Sequence, residues 1–186
     1  GEWHLMHEWV ALLKNSFGNP LMVVNANFFT ETGHAVGLVV SDGQVSGDSL
    51  QGFGGMFLVN GAEVRVRSLV QEPYYGESYE QVAQGFPMLI EPGGIAASTG
   101  DGFDDPSRRT IIAQDFAGNI LVMTTPAGRL TLRNAQRWLL DSRLNISIAF
   151  GLDGGKSSGL YFGGVENETL YPSVEPIPVI ISAHVR

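Results

Sequence analysis

Residues 148–162 read IAFGLDGGKSSGLYF, and the interpretation of the whole chain starts from this stretch. An apolar run ends at Asp153-Gly154, small hydroxyl residues and a glycine follow, and a second apolar run begins. An apolar run that ends in Asp-Gly predicts a buried strand followed by a tight turn. The turn is either a plain hairpin or a loop that presents Asp153 as a functional carboxylate from a rigid strand. The stretch alone does not decide between the two.

Composition narrows the class of protein. With 186 residues, of which 44% are hydrophobic, the chain is expected to form one domain with a true core. The net charge is −8 with only 11 Lys and Arg, which argues against nucleic acid or an anionic membrane as a partner. The absence of Cys excludes thiol nucleophiles and thiolate metal sites.

The start of the sequence and its hydropathy bear on targeting. No apolar run reaches the length needed to span a membrane, and no signal peptide is recognisable. Because the sequence opens abruptly at Gly1, we expect that it lacks an upstream N-terminal segment. Residues 1–186 are otherwise expected to be a single domain.

Hydrophobic periodicity predicts two helices and many short strands. The helices are predicted over residues 2–14 and 131–142, the second with Thr131 as its N-cap. Strands are predicted over residues 21–24, 35–40, 52–59, 63–67, 111–115, 120–125, 144–152 and 179–185. Turn signals between them, such as Asn60-Gly61, indicate hairpins. We therefore predict a single α+β domain with a strongly twisted, mostly antiparallel sheet packed on two main helices.

Two segments depart from these regular patterns. Gly85 and Pro87 interrupt an apolar run, which predicts a bend at which the backbone approaches another group closely. Residues 96–107 are small, acidic and glycine-rich, and they are a candidate lid over a site.

Polar residues at predicted strand ends are candidates for binding. Asn25 and Asn27 follow a buried strand; they can form simple Asx turns, or they can bind a ligand rich in hydroxyl groups. Arg109 stands at the start of a strand, where it can grip a phosphate or form a surface ion pair with Asp104 or Asp105.

Several segments, taken in order, resemble the phosphodiester glycosidase family, whose best-known members remove N-acetylglucosamine from a phosphodiester on lysosomal enzyme glycans. The matching segments are Asn25-Ala26-Asn27-Phe28-Phe29, residues 84–90, Arg109-Thr110, residues 128–140 and residues 152–158, so the resemblance covers about residues 20–165.

The sequence departs from the family pattern at three places. Ala26 and Asn27 replace two glycines, and Lys156 stands where a third glycine is usual. Ala127 precedes Gly128, whereas an Asp-Gly-Arg pattern is common in the family. A missing acidic residue there can change substrate choice or abolish hydrolysis.

The resemblance implies a hydrolase that cleaves a sugar from a sugar 1-phosphodiester, on a glycan or on a cell-envelope polymer such as an exopolysaccharide. It also implies an extracytoplasmic or secreted location. The catalytic candidates are Asp153, as base, nucleophile or hydroxyl anchor, and Arg109, as the phosphate ligand. The substrate-binding candidates are Asn25, Asn27, Gly85, Thr110, Gly154, Gly155, Lys156 and Ser157.

Glycosidases usually work with two carboxylates. The second one is left open here among Asp115, Glu91 and Glu31, and a phosphate leaving group is acidic enough that one carboxylate can suffice. No cofactor is expected. Asp153 and Asp115 are candidate ligands for a divalent cation, but no recognisable loop spacing supports one.

Two further interpretations stay open. The first is a catalytically silent module that binds carbohydrate or phosphosugar. The second is a structural, envelope-associated domain whose glycines serve only turns.

Overall fold

The computed structural model describes residues 2–164 and 167–185. Helix α1 spans Met6–Phe17, helix α2 spans Leu132–Asp141, and one 3₁₀ turn spans Gly155–Ser157. The strands are β1 Met22–Asn25, β2 Phe28–Phe29, β3 Ala35–Val36, β4 Val39–Ser41, β5 Gln44–Ser46, β6 Gly55–Asn60, β7 Glu63–Ser68, β8 Gln81–Gly85, β9 Met88–Glu91, β10 Ile95–Ala96, β11 Thr110–Asp115, β12 Ile120–Thr124, β13 Ile146–Gly151, β14 Leu160–Gly163, β15 Glu168–Tyr171 and β16 Ile180–Ala183.

The described strands pair only antiparallel, and they divide among three sheets and one short hairpin. The first sheet has the order β15-β14-β1-β16, the second β10-β9-β13-β11-β12, and the third β5-β4-β8-β6-β7. Strands β2 and β3 form the hairpin. The predicted α+β class is confirmed, although the strands belong to several sheets rather than to one.

Helix α1 covers one face of the first sheet. It begins at Met6, later than predicted. The Glu8 carboxylate accepts a hydrogen bond from the Leu5 N–H at 2.7 Å, and this contact caps the N-terminus of the helix at Leu5. Its buried residues, Met6 and Val10, pack in one cluster with Val23 of β1.

Helix α2 packs on the second sheet, and its predicted N-cap is confirmed. The Thr131 side chain accepts a hydrogen bond from the Asn134 N–H at 3.1 Å. Leu132, Ala135 and Leu139 are buried in a cluster shared with residues of β9, β11 and β13. The helix therefore fixes the sheet that carries the Asp153 segment.

The predicted bend at residues 82–90 is confirmed. Strand β8 ends at Gly85 and β9 begins at Met88, and the two strands lie in different sheets. A Cβ atom on Gly85 would clash with the Gly151 carbonyl oxygen and lie 2.9 Å from the Phe150 ring. The close approach predicted at Gly85 is thus an approach to the protein's own strand β13.

Residues 96–107 are tied to α2. Phe103 is buried in the core, and Arg133 forms two hydrogen bonds to Asp104, at 2.6 and 2.8 Å. These contacts hold the segment against the helix and do not support its interpretation as a lid.

Among residues 2–164 and 167–185, no helix is long and apolar enough to cross a membrane.

Candidate functional site

The site is built where β1, β11 and β13 meet. Asp153 lies two residues beyond the end of β13. The Leu152 N–H donates to the Thr110 carbonyl at 2.9 Å, and the Asp153 N–H donates to the Ala26 carbonyl at 3.0 Å. The backbone of the Asp153 loop (residues 152–159) is therefore held by the start of β11 on one side and by the end of β1 on the other. The functional interpretation of the Asp-Gly stretch fits this position, because Leu160–Gly163 pairs with β1 and not with β13.

Asn25 holds both ends of this loop. Its Nδ2 donates to the Asp153 carbonyl at 2.7 Å. Its Oδ1 accepts from the Thr110 hydroxyl at 2.7 Å and from the Gly159 N–H at 3.1 Å. The side chain is 1% exposed, so its contacts lie inside the protein. The structure thus gives Asn25 a positioning function, and its predicted contact with substrate stays a prediction.

Thr110 belongs to the same buried network. Besides Asn25, its Oγ1 lies 3.1 Å from Thr124 Oγ1 and 3.2 Å from Ser158 Oγ. Ser158 is fully buried, and sequence reasoning quoted it in a motif without assigning it a function. Thr110 therefore links β11 to β1 and to the Asp153 loop.

The Asp153 carboxyl is half-buried and binds its proton more tightly than an exposed Asp does. Its Oδ1 accepts the Gly154 N–H at 2.8 Å. Burial raises the pKa of Asp153 to about 6, against the lowering effect of hydrogen bonds from Ser157 and Gly154, and the charge of Glu175 adds to the rise. The carboxyl consequently exchanges a proton close to neutral pH.

Ser157 connects the Asp153 loop to a second carboxylate. The Ser157 hydroxyl donates to Glu175 Oε1 at 3.1 Å. Glu175 lies in the proline-rich segment before β16 and carries no motif signal, so sequence reasoning did not find it. The structure gives the Ser157 hydroxyl a protein carboxylate as its partner, and its predicted contact with substrate stays a prediction.

The glycines of the loop use their N–H groups within the protein. Gly154 donates to Asp153, and the Gly155 N–H donates to the Arg108 carbonyl at 2.9 Å. Gly155 has φ +62°, a conformation that glycine adopts without strain. Lys156, by contrast, is exposed. Its predicted contact with substrate, like those of the two glycines, stays a prediction.

Arg109 reaches the edge of the site and is bound by main-chain carbonyls. Its Nε donates to the Leu130 carbonyl at 3.1 Å, and its Nη2 donates to the Asp105 carbonyl. Its Cδ lies 4.0 Å from the position that a Gly154 Cβ would take. The ion pair considered from sequence does not form with Asp104, which binds Arg133. The function of Arg109 as a phosphate ligand stays a prediction.

Asn27 and two phenylalanines lie on the other side of Ala26. Asn27 is 2% exposed; its Nδ2 donates weakly to the Val36 and Leu38 carbonyls at 3.4 and 3.3 Å, while its Oδ1 has no hydrogen-bond partner among the residues that the structure describes. The Phe28 ring stacks on the Phe86 ring with centroids 4.3 Å apart. Asn27 and Phe28 are close to Asn25 in the sequence, but no described hydrogen bond joins Asn27 to Asp153.

The three carboxylates considered from sequence as the second acidic group lie elsewhere. Asp115 ends β11, about 16 Å along the strand from Thr110, and it accepts hydrogen bonds from the turn at Ala117 and Asn119. Glu91 accepts the Ser68 hydroxyl at 2.9 Å at the far end of β9. Glu31 is exposed in the turn between β2 and β3. Within the described part of the chain, no group of three or more His, Cys, Asp or Glu residues could hold a metal ion.

The fold is an α+β domain of antiparallel sheets, and a loop between two of these sheets carries the half-buried Asp153 carboxyl, whose pKa is raised. A family model described as phosphodiester glycosidase matches residues 18–181. Because this match covers most of the sequence, the chain belongs to the phosphodiester glycosidase family, and the resemblance seen in its motifs is confirmed.

Solved structures agree with this fold. The catalytic domain of zebrafish N-acetylglucosamine-1-phosphodiester alpha-N-acetylglucosaminidase, described as auto-inhibited by its pro-peptide, superposes with a TM-score of 0.67 at 21% identity. That match covers 90% of this chain and 64% of the zebrafish chain. A hypothetical protein from Synechocystis matches with a TM-score of 0.51 at 15% identity, over 81% of this chain and 48% of the other. No curated protein matches significantly.

Proposed function

We propose that this chain hydrolyses the glycosidic bond of a sugar 1-phosphodiester, with Asp153 as its acid–base carboxylate. One observation carries the proposal: Asp153 is half-buried, is held through its backbone by β1 and β11, and has a pKa of about 6. A group that transfers protons works best when its pKa lies near the operating pH. Family membership supplies the substrate class.

The proposed reaction needs one proton acceptor. A water oxygen forms a bond to the anomeric carbon, and the bond from that carbon to the phosphate oxygen breaks, leaving its electron pair on the phosphate. Asp153 takes the proton from the attacking water. Because the departing phosphate monoester is a weak base, strong assistance from a second acid is unnecessary.

The negative charge of the substrate calls for a nearby cation. Lys156 is exposed three residues after Asp153, and the Arg109 side chain passes beside Gly154. We propose that the positive charges of these two side chains attract and bind the phosphate of the substrate. A substrate on a glycan or cell-envelope polymer, and the extracytoplasmic location that such a substrate requires, remain predictions from family membership.

The test is release of free sugar from a panel of sugar 1-phosphodiesters that includes N-acetylglucosamine compounds. The wild type is compared with Asp153→Asn and with Asp141→Asn, which changes an exposed carboxylate at the end of α2. We expect turnover in the wild type and the Asp141 variant, and a loss of about 100-fold or more in Asp153→Asn. Full activity of Asp153→Asn on every substrate that the wild type cleaves would refute the proposal.

A silent phosphosugar-binding module is the second candidate, and one observation favours it. Ala127 stands before Gly128 where the family commonly has an acidic residue. Calorimetric binding of phosphosugars without any release of sugar would support this candidate over hydrolysis.

A further inference from the structure

The segment before β16 is fixed against the Asp153 loop. The Val174 N–H donates to the Lys156 carbonyl at 2.7 Å, and Arg108 Nη2 donates to the Pro172 carbonyl at 2.9 Å. On its other side, the Ser173 hydroxyl accepts the Met6 N–H at 3.0 Å. Main-chain and side-chain contacts from three elements therefore set the position of Glu175 relative to Asp153.

One hydroxyl lies between the two carboxylates. Ser157 Oγ donates to Glu175 Oε1 at 3.1 Å, and the same hydroxyl is close enough to Asp153 to lower the pKa of that carboxyl. A hydroxyl has a single proton, so it can serve only one of the carboxylates at a time. Donation to Glu175 leaves Asp153 with the Gly154 N–H as its hydrogen-bond donor.

We propose that Glu175 is the second carboxylate of this site, a positioning residue that acts on Asp153 through the Ser157 hydroxyl and through its own negative charge. The inference deepens the proposed hydrolysis by naming the acidic partner that the motifs leave open. Glu175 draws the Ser157 proton away from Asp153 and disfavours a second negative charge beside itself. Both effects keep Asp153 able to accept a proton at neutral pH.

The other charged residues near Asp153 do not have the function proposed for Glu175. Arg108 and Arg109 approach from the start of β11, but both direct guanidinium N–H groups to main-chain carbonyls. Lys156 is on the same loop and is exposed, and Asn25 of β1 is uncharged. The negative charge of Glu175, by contrast, raises the pKa of Asp153.

The experiment measures the pKa of Asp153 by carboxyl NMR in the wild type, Glu175→Gln, Ser157→Ala and Glu80→Gln. Glu80 is exposed and serves as a matched control. Glu175→Gln should lower the pKa of Asp153 below about 6, because a negative charge is lost and Ser157 is freed to donate to Asp153, while the larger rise caused by burial remains. Ser157→Ala should raise it, and Glu80→Gln should leave it unchanged.

An unchanged pKa of Asp153 in folded Glu175→Gln would overturn the proposal. If that variant does not fold, a lowered pKa of Asp153 in Ser157→Ala would overturn the proposal equally. Where turnover is found, the acidic limb of the kcat/KM profile should move to lower pH in Glu175→Gln. The NMR titration needs no substrate, so a failure to hydrolyse any sugar 1-phosphodiester would refute the proposed function and leave the pairing of Glu175 with Asp153 separately tested.

Discussion

Asn25 Nδ2 donates to the Asp153 carbonyl at 2.7 Å, although the two residues are 128 positions apart in the chain. Asn25 is buried, and its side chain also holds Thr110 and Gly159. The position of the Asp153 carboxyl therefore depends on an uncharged amide in another sheet.

Asn25→Ala should destabilise the protein strongly. It leaves the Thr110 hydroxyl, the Gly159 N–H and the Asp153 carbonyl without this partner, which should lower the free energy of unfolding by about 3 kcal/mol or more. Urea denaturation measures the change. Asn15→Ala, at an exposed position of α1, should stay within about 0.5 kcal/mol of the wild type. Equal stability of the two variants would contradict the positioning function of Asn25.

Asp153→Asn should stabilise the protein at alkaline pH. Because the pKa of Asp153 is about 6 in the folded state and near 4 in the unfolded state, the folded state binds the proton more tightly between these values. Wild-type stability therefore falls as pH rises from about 4 to about 6, and the variant escapes this loss. We expect a gain of about 1–3 kcal/mol at pH 8 and none at pH 4, measured by denaturant unfolding across that range. A gain of the same size at pH 4 would contradict this linkage.

Gly85→Ala should be poorly tolerated. Its Cβ would clash with the Gly151 carbonyl oxygen and crowd Phe150, which should cost about 1–3 kcal/mol or prevent folding. Gly100→Ala is the matched control, because no atom lies within 4 Å of its added Cβ. Thermal unfolding compares the two. If Gly85→Ala were as stable as Gly100→Ala, the close packing of β8 on β13 would be wrong.

Arg109→Lys should loosen the start of β11. Lysine keeps the charge but cannot reproduce the fork that donates to both the Leu130 and Asp105 carbonyls, so we expect a loss of about 1–2 kcal/mol in stability. Arg137→Lys, on the exposed face of α2, should change little. A destabilisation confined to Arg137→Lys would contradict the bracing function of Arg109 seen in the structure.

Local sequence signals predicted the fold class and the place of Asp153. The apolar run into Asp153, the Asn60-Gly61 hairpin and the Thr131 cap depend on neighbouring residues, and each is found in the structure. The division into sheets was harder to predict, because antiparallel pairing between distant strands is set by packing that a single sequence does not display. Gly85 marked the boundary between two sheets, but its partner Gly151 is known only from the fold.

The partners of the site residues were the least predictable part. Arg109 binds main-chain carbonyls, which no side-chain pattern can indicate. Glu175 lies in a proline-rich segment without a recognisable motif, and only the contacts of Ser157 and Lys156 bring it to Asp153. Asn25 was predicted to bind substrate because it is polar and lies at a strand end. In the structure it is buried, and its side chain binds backbone groups of the protein itself.

The pairing of β1 with both β14 and β16 sets the order in which the protein can mature on the ribosome. Asn25 is synthesised before both of its neighbouring strands, and its own strand gains these neighbours only after Leu160–Gly163 and Ile180–Ala183 have been made. Until then the nascent chain carries β1 with both edges unpaired, a form open to wrong strand pairing and to capture by chaperones. The Asp153 loop consequently acquires its Asn25 brace only after Gly159 has been made, long after β1 itself.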